Sequence, residues 1–375
     1  MEHHPAQLLP IALALDEFLI LLLPLPLIVI ANWHERPPRG QEWYARAAAL
    51  LGGAVWLLLA MVAAVCVVLA LFAIALAPSH TGDNRGGGGG LIAYAAVLLV
   101  TGVAAARLVA EPVRAALARV LPIDPVSAVH ATALVLSTTL VGTQLASQVS
   151  MDVLAQQASS GTVLGPADLL TQEVPYLLAA VLGVGLFVRR GPRAVLGRLA
   201  LVRPTAWQLV LALGAAGLFY AVGNGVDALA HVITPGVAEK VAAANQHLFG
   251  QLDDPVGIAT IALSAGICEE ALFRGAMQPR LGLLWTALVF TSVHTQYGLS
   301  LDAAAVLLLA AGLGLLRRLT NTTTSTTCHV VYNTLVGVGV TGVWLGPALA
   351  LEAGLLLAGL AAFLTGRLGS LRTAQ

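Results

Sequence analysis

Charge is what this chain has least of. Of its 375 residues only 10% are Asp, Glu, Lys or Arg, against about 25% in an ordinary soluble domain. That is too little to coat a soluble globule of this length, and with 58% hydrophobic residues it is also the opposite of a disordered composition. Charge of one sign is missing as well. The 19 basic residues balance the 19 acidic ones, so no basic domain exists to neutralise phosphates, and nucleic acid is excluded as a partner. Cysteine is scarce: Cys66, Cys268 and Cys328 form no CxxC and all sit in apolar stretches, which excludes a zinc ribbon, a redox motif and a disulfide framework. The run Gly86 to Gly90 lacks the Gly-Lys-Ser/Thr ending of a phosphate loop and reads as a flexible connector without secondary structure.

What is present is apolar sequence in runs of membrane length. They fall near 8–31, 47–76, 91–110, 126–149, 173–188, 206–230, 256–278, 281–299, 301–316, 324–342 and 344–364. The expectation is an all-α polytopic integral membrane protein with about 11 transmembrane helices. The first run lacks a positive n-region and a small-residue cleavage site, so it reads as a retained helix. With an external N-terminus and an internal C-terminus, every Lys and Arg except Arg85 and Lys240 falls on the inner side, as the positive-inside rule requires. The preference for Arg over Lys carries no function. The arginine-rich loop from Arg189 to Arg203 reads as a topology determinant, with contact to anionic lipid as the functional alternative. It also divides the chain into an N-terminal membrane region of unread role, 1–205, and a C-terminal region, 206–365.

Ionisable groups at membrane depth cost about 2.5–3.5 kcal/mol each on insertion scales, so those that occur need a reason. Asp16, Glu17, His130, Gln144, Asn224, Asp227 and Glu352 are isolated and read as helix-to-helix hydrogen bonding. The stretch 256–342 differs, because its polar groups come in sets at helical spacing. Glu270 and Arg274 are four apart and can pair on one face, whereas Glu269 lies about 140° round the helix from Arg274 and is left to face a cavity. Phe290 and His294 are four apart on the next run, as are His329 and Asn333 two runs later. Three helices, each directing polar groups from mid-bilayer, would assemble a carboxylate, two imidazoles and a carboxamide in one buried space. A carboxylate and an imidazole sharing a water can deprotonate it for attack on a carbonyl. The second His and the Asn amide can donate to the resulting oxyanion. Peptide-bond hydrolysis by activated water is the economical expectation.

Glu269-Glu270-x-x-x-Arg274, Phe290-x-x-x-His294 and His329-x-x-x-Asn333 resemble the three motifs of the CPBP intramembrane endopeptidases, which include the type II CAAX prenyl proteases and the Abi bacteriocin-immunity proteins. The resemblance implies a membrane-helical fold in which Glu269 and His294 activate water while His329 and Asn333 stabilise the oxyanion, with Glu270, Arg274 and Phe290 in support. It implies a protein or peptide substrate, membrane-embedded or lipidated. The expected location is the bilayer of a bacterial cytoplasmic membrane, and the expected cofactor is none, with zinc as the alternative.

Three other readings stay open. Glu269, His294 and His329 could be zinc ligands, although no HExxH is present. Buried ionisable groups in many helices also describe a transporter or a non-catalytic immunity protein, against which the first half shows no repeat of the motif helices. A thiol nucleophile at Cys268 or Cys328 is the third, disfavoured by its apolar setting.

Overall fold

The computed structural model describes residues 22–35, 42–80, 88–160, 163–340 and 345–372. Among these residues the architecture is helical throughout, apart from one isolated bridge between Leu186 and Arg190. In chain order the helices are α1 (Pro24–His34), α2 (Glu42–Leu76), α3 (Gly88–Val109), α4 (Glu111–Leu117), α5 (Ala128–Ser150), α6 (Val153–Ser159), α7 (Pro166–Gly183), α8 (Pro192–Arg198), α9 (Ala206–Ile233), α10 (Pro235–Phe249), α11 (Pro255–Leu281), α12 (Leu283–Ser292), α13 (Leu301–Leu319), α14 (Thr322–Val338) and α15 (Leu345–Arg372).

Each apolar stretch of the sequence coincides with a helix where it is described. Six of these helices are long and apolar enough to cross a membrane: Gly52–Leu76 within α2, then α3, α5, α9 and α11, and Gly346–Gly366 within α15. Of the other five stretches, the counterparts α7, α12, α13 and α14 are shorter or more polar, and the first, 8–31, lies outside the described residues up to 21. Leu57, Leu71, Phe72, Leu351 and Leu357 all face outward. Such a surface is tolerable in lipid and not in water, and the protein is an integral membrane protein.

Local chemistry sets the helix starts in the C-terminal part. Asp254 accepts from Gly257 N at 2.6 Å ahead of Pro255, Ser300 accepts from Ala303 N at 3.2 Å, and Asn321 accepts from Thr324 N at 2.9 Å. Each is a short polar side chain satisfying an orphan N–H of a first turn. A buried apolar core joins Leu27 and Ala31 of α1, Val55 and Leu59 of α2, and Leu134 and Val135 of α5. A second joins Leu211 and Ala215 of α9 to Leu313 of α13 and Cys328 of α14.

Several expectations need correction. Gly88, Gly89 and Gly90 are the first turn of α3, not connector, because the apolar run behind them propagates a helix into glycines that lack a Cβ clash; Gly86 and Gly87 lie outside the described residues. The arginine-rich loop contains α8, opened by Pro192 at its first turn. Asn224 bonds its own helix at Tyr220 O, 2.8 Å away, and Asp227 pairs with His231 on the same helix at 3.6 Å, so neither joins two helices. Asp16 and Glu17 lie outside the described residues.

Candidate active site

The Glu-Glu-Arg sequence sits in the middle of α11, at a change of helical winding. Ala271–Met277 is a π-helical segment, closed by Gln278 N bonding Phe273 O five residues back. Pro279 explains how such a wide turn is tolerated. It has no N–H to return to Arg274 or Gly275, and those carbonyls accept from side chains instead: Arg317 Nε at 3.0 Å and Arg198 Nη1 at 3.3 Å. Single π turns inside α-helices recur at functional sites.

Glu270 is fully buried and Arg274 is nearly so. Arg274 Nη1 lies 3.1 Å from Glu270 Oε1, Arg274 Nη2 donates to Ala310 O at 3.1 Å, and the guanidinium carbon stands 4.3 Å over the Phe290 ring. The same Glu270 oxygen accepts from His329 Nδ1 at 3.1 Å. Two cationic or protonatable groups therefore converge on one carboxylate, which ties α11 to α14. Glu269 is also buried, at 5% exposure. Its Oε2 has no hydrogen-bond partner among the described residues and stands 3.9 Å from His329 Nε2.

These contacts require α11 and α14 to run close together, and Gly266 permits it. A Cβ there would fall 2.5 Å from Val330 Cγ2 and 3.2 Å from Val330 N. Small residues at helix crossings in membranes serve this purpose.

His294 departs from the expected setting. It is not on a mid-bilayer helix: α12 ends at Ser292, and His294 opens a short 3-10 turn, Thr295–Tyr297. The chain is turned away by Gly298 at φ +58°, a conformation only glycine adopts without strain. The turn is held from the N-terminal part of the chain, by Gln157 Nε2 donating to Thr295 Oγ1 at 2.9 Å and Gln148 Nε2 donating to Thr295 O at 3.3 Å. The His294 ring stacks on Phe290 at 4.5 Å between centroids. Its Nδ1 bonds Phe290 O at 2.8 Å. A carbonyl only accepts, so Nδ1 carries the proton and Nε2 presents its lone pair. Phe290 in turn packs edge-on against Phe273, 5.2 Å away, and lies 6.0 Å from the His329 ring.

The structure thus brings Glu269, Glu270, Arg274 and His329 into contact and reaches His294 through Phe290. No direct bond joins Glu269 to His294. Asn333 lies one turn beyond His329 on α14, half-buried, with no side-chain hydrogen bond to the described residues. Sequence reasoning missed Glu173 of α7, buried with Oε2 unpartnered among the described residues. Its neighbour Tyr176 packs edge-on against Phe273 at 5.9 Å. Glu173 stands at the edge of its apolar run, where a carboxylate looks like loop.

A zinc ion would need at least three convergent donors. Among the described residues no three His, Cys, Asp or Glu side chains are grouped to hold a metal, while His329 bonds Glu270 through Nδ1 and keeps Nε2 free.

Residues 251–335 match the family model described as type II CAAX prenyl endopeptidase Rce1-like. The segment belongs to the CPBP/CAAX protease family. No curated protein and no solved structure matches the chain. The matched Rce1-like segment contains Glu269, Glu270, Arg274, Phe290, His294, His329 and Asn333, and leaves the helices before Gln251 outside it.

Proposed function

We propose that the chain is an intramembrane endopeptidase that hydrolyses a peptide bond with water activated between Glu269 and His294, while His329 and Asn333 stabilise the oxyanion. The observation that carries this reading is the unpartnered Glu269 Oε2, buried in the Rce1-like segment and 3.9 Å from an imidazole nitrogen. That separation exceeds a hydrogen bond and suits a bridging water. Water attacks the scissile carbonyl carbon, the carbonyl electron pair moves to oxygen, and the water proton passes to Glu269 or to the His294 Nε2 lone pair. Collapse of the tetrahedral species breaks the C–N bond, and the same proton goes to the leaving amine.

Glu270 gives this scheme its polarity. By accepting from His329 Nδ1 it leaves Nε2 as the atom that points toward the reacting centre and allows it to carry a second proton and donate to the oxyanion. Phe290 fixes the His294 ring plane. The chemistry uses no metal. The substrate is a polypeptide presented at membrane depth, and a lipidated C-terminal segment fits this reading. The eleven-helix arrangement, N-out and C-in, and the division into 1–205 and 206–365 belong to the same proposal, with α5 and α6 of the first region bracing the His294 turn.

The test is a comparison of membrane-protein termini in cells carrying the wild type and Glu269→Gln. New termini present only with the wild type would support the reading and name the substrate and bond. Identical termini in both would count against it.

A further inference from the structure

A cavity lies beside the candidate site, and none of Glu269, His294, His329 or Asn333 lines it. It holds about 810 Å³ and is walled by α1, α5, α7, α11 and α12. Most of its wall is apolar, with Leu25, Ile28, Leu136, Leu140, Phe273 and Val293, and the polar side chains of Ser137, Thr139, Thr143 and Gln144 on α5 also line it. One end is of another kind. Arg189, Arg190, Arg198 and Arg280 all line it, against two carboxylates, Glu35 and Asp124.

Among the described residues the local charges do not cancel. Arg189 forms an ion pair with Glu35, which is further occupied by Ser127 Oγ and by Val129 N at 2.8 Å. Asp124 accepts from Val126 N at 3.1 Å. Among the described residues Arg190, Arg198 and Arg280 donate only to backbone carbonyls, at Val184 (2.6 Å), Gly275 (3.3 Å) and Pro122 (3.4 Å), and a carbonyl offers no countercharge. Burial, with Arg280, Arg190, Arg317 and Arg189 nearby, pushes the Arg198 guanidinium down to about 10.

We infer that this cavity binds an anionic phospholipid of the bilayer, with its phosphate among Arg190, Arg198 and Arg280 and one acyl chain between α5 and α11. Basic pockets between membrane helices take such headgroups. The length also fits. From His130 at the charged end to Gln144, both lining residues, α5 advances about 21 Å at 1.5 Å per residue, enough for the chain of one leaflet, half of a hydrocarbon core of about 30 Å. The occupant is a resident lipid rather than a cleaved substrate, because Phe273 stands between the cavity and the site, packed edge-on against Phe290. The lipid would join the N-terminal helices to the Rce1-like segment.

The test uses the full chain in nanodiscs of equal phosphatidylglycerol and phosphatidylcholine, followed by native mass spectrometry of the lipid retained after detergent release. Wild type is expected to keep phosphatidylglycerol in preference to phosphatidylcholine. Arg190→Ala with Arg198→Ala should weaken that retention, by roughly 5-fold per arginine removed. Ala133 of α5 also lines the cavity, and Ala133→Trp, which fills space there and leaves every charge in place, should weaken retention too and covers the case in which the arginine variant does not fold. Glu269→Gln should retain the lipid like wild type, whatever its effect on cleavage. No preference for phosphatidylglycerol in wild type, or a preference unchanged in either cavity variant, overturns the inference.

Discussion

Glu269 Oε2 and His329 Nε2 face each other across 3.9 Å from two helices that touch at Gly266 and Val330. The separation of the two groups is therefore set by the absence of a side chain one turn before Glu269. Gly266→Val should force α11 and α14 apart. The expected result is a stability loss of about 1–3 kcal/mol from overpacking and a fall in kcat of roughly 100-fold from misplacement of order 1 Å. Thermal unfolding in micelles and cleavage kinetics would read the two effects separately.

Glu270 carries the counter-charge of a buried guanidinium. Glu270→Gln leaves Arg274 charged without a compensating carboxylate, and the expected destabilisation is about 3–5 kcal/mol. Glu270→Leu combined with Arg274→Met removes both charges and should recover most of the unfolding temperature. Cleavage should stay lost in the double variant, since His329 no longer has a partner for Nδ1. Recovery of activity together with stability would assign Glu270 a purely structural role.

Phe290 holds the His294 ring by stacking and Arg274 by its face. Phe290→Leu keeps an apolar side chain in the core but removes both flat surfaces. A drop in kcat of roughly 10- to 100-fold with little change in KM is expected, as belongs to a residue that orients the imidazole without binding substrate. An unchanged kcat would detach Phe290 from the chemistry.

The apolar runs made the helices legible, because hydropathy over about 20 residues constrains little else. The spacing within each motif was equally readable. What could not be read were the positions where tertiary contacts override pattern. Val293 and His294 continue an apolar run, yet α12 stops before them. Gln148 and Gln157 hold the following turn from α5 and α6, and no local signal announces partners so distant in sequence. Asn32 donates to Ile28 O, Leu182 O and Gly183 O at 3.0, 3.0 and 3.2 Å. It is wholly buried, but at the end of its run it is indistinguishable from an interfacial polar residue. Glu173 was hidden in the same way. The π turn follows from Pro279 together with Arg198 and Arg317, and only the proline is local. Gly266 resembles any of the chain's 38 glycines until its neighbour is known.

Metal dependence separates two mechanisms that use the same residues. Incubation of the purified protein with a strong zinc chelator is expected to leave cleavage unchanged, and elemental analysis should find well under one zinc per chain. Loss of activity that zinc alone restores would favour the ligand role for Glu269, His294 and His329.

The most direct measurement is single-turnover cleavage by purified protein in proteoliposomes, wild type against Glu269→Gln, with a substrate named by the terminus comparison. The expected rate is lower by roughly 100- to 10,000-fold, the range for loss of a general base, with the unfolding temperature unchanged. Cleavage at the wild-type rate by the Gln variant would contradict it.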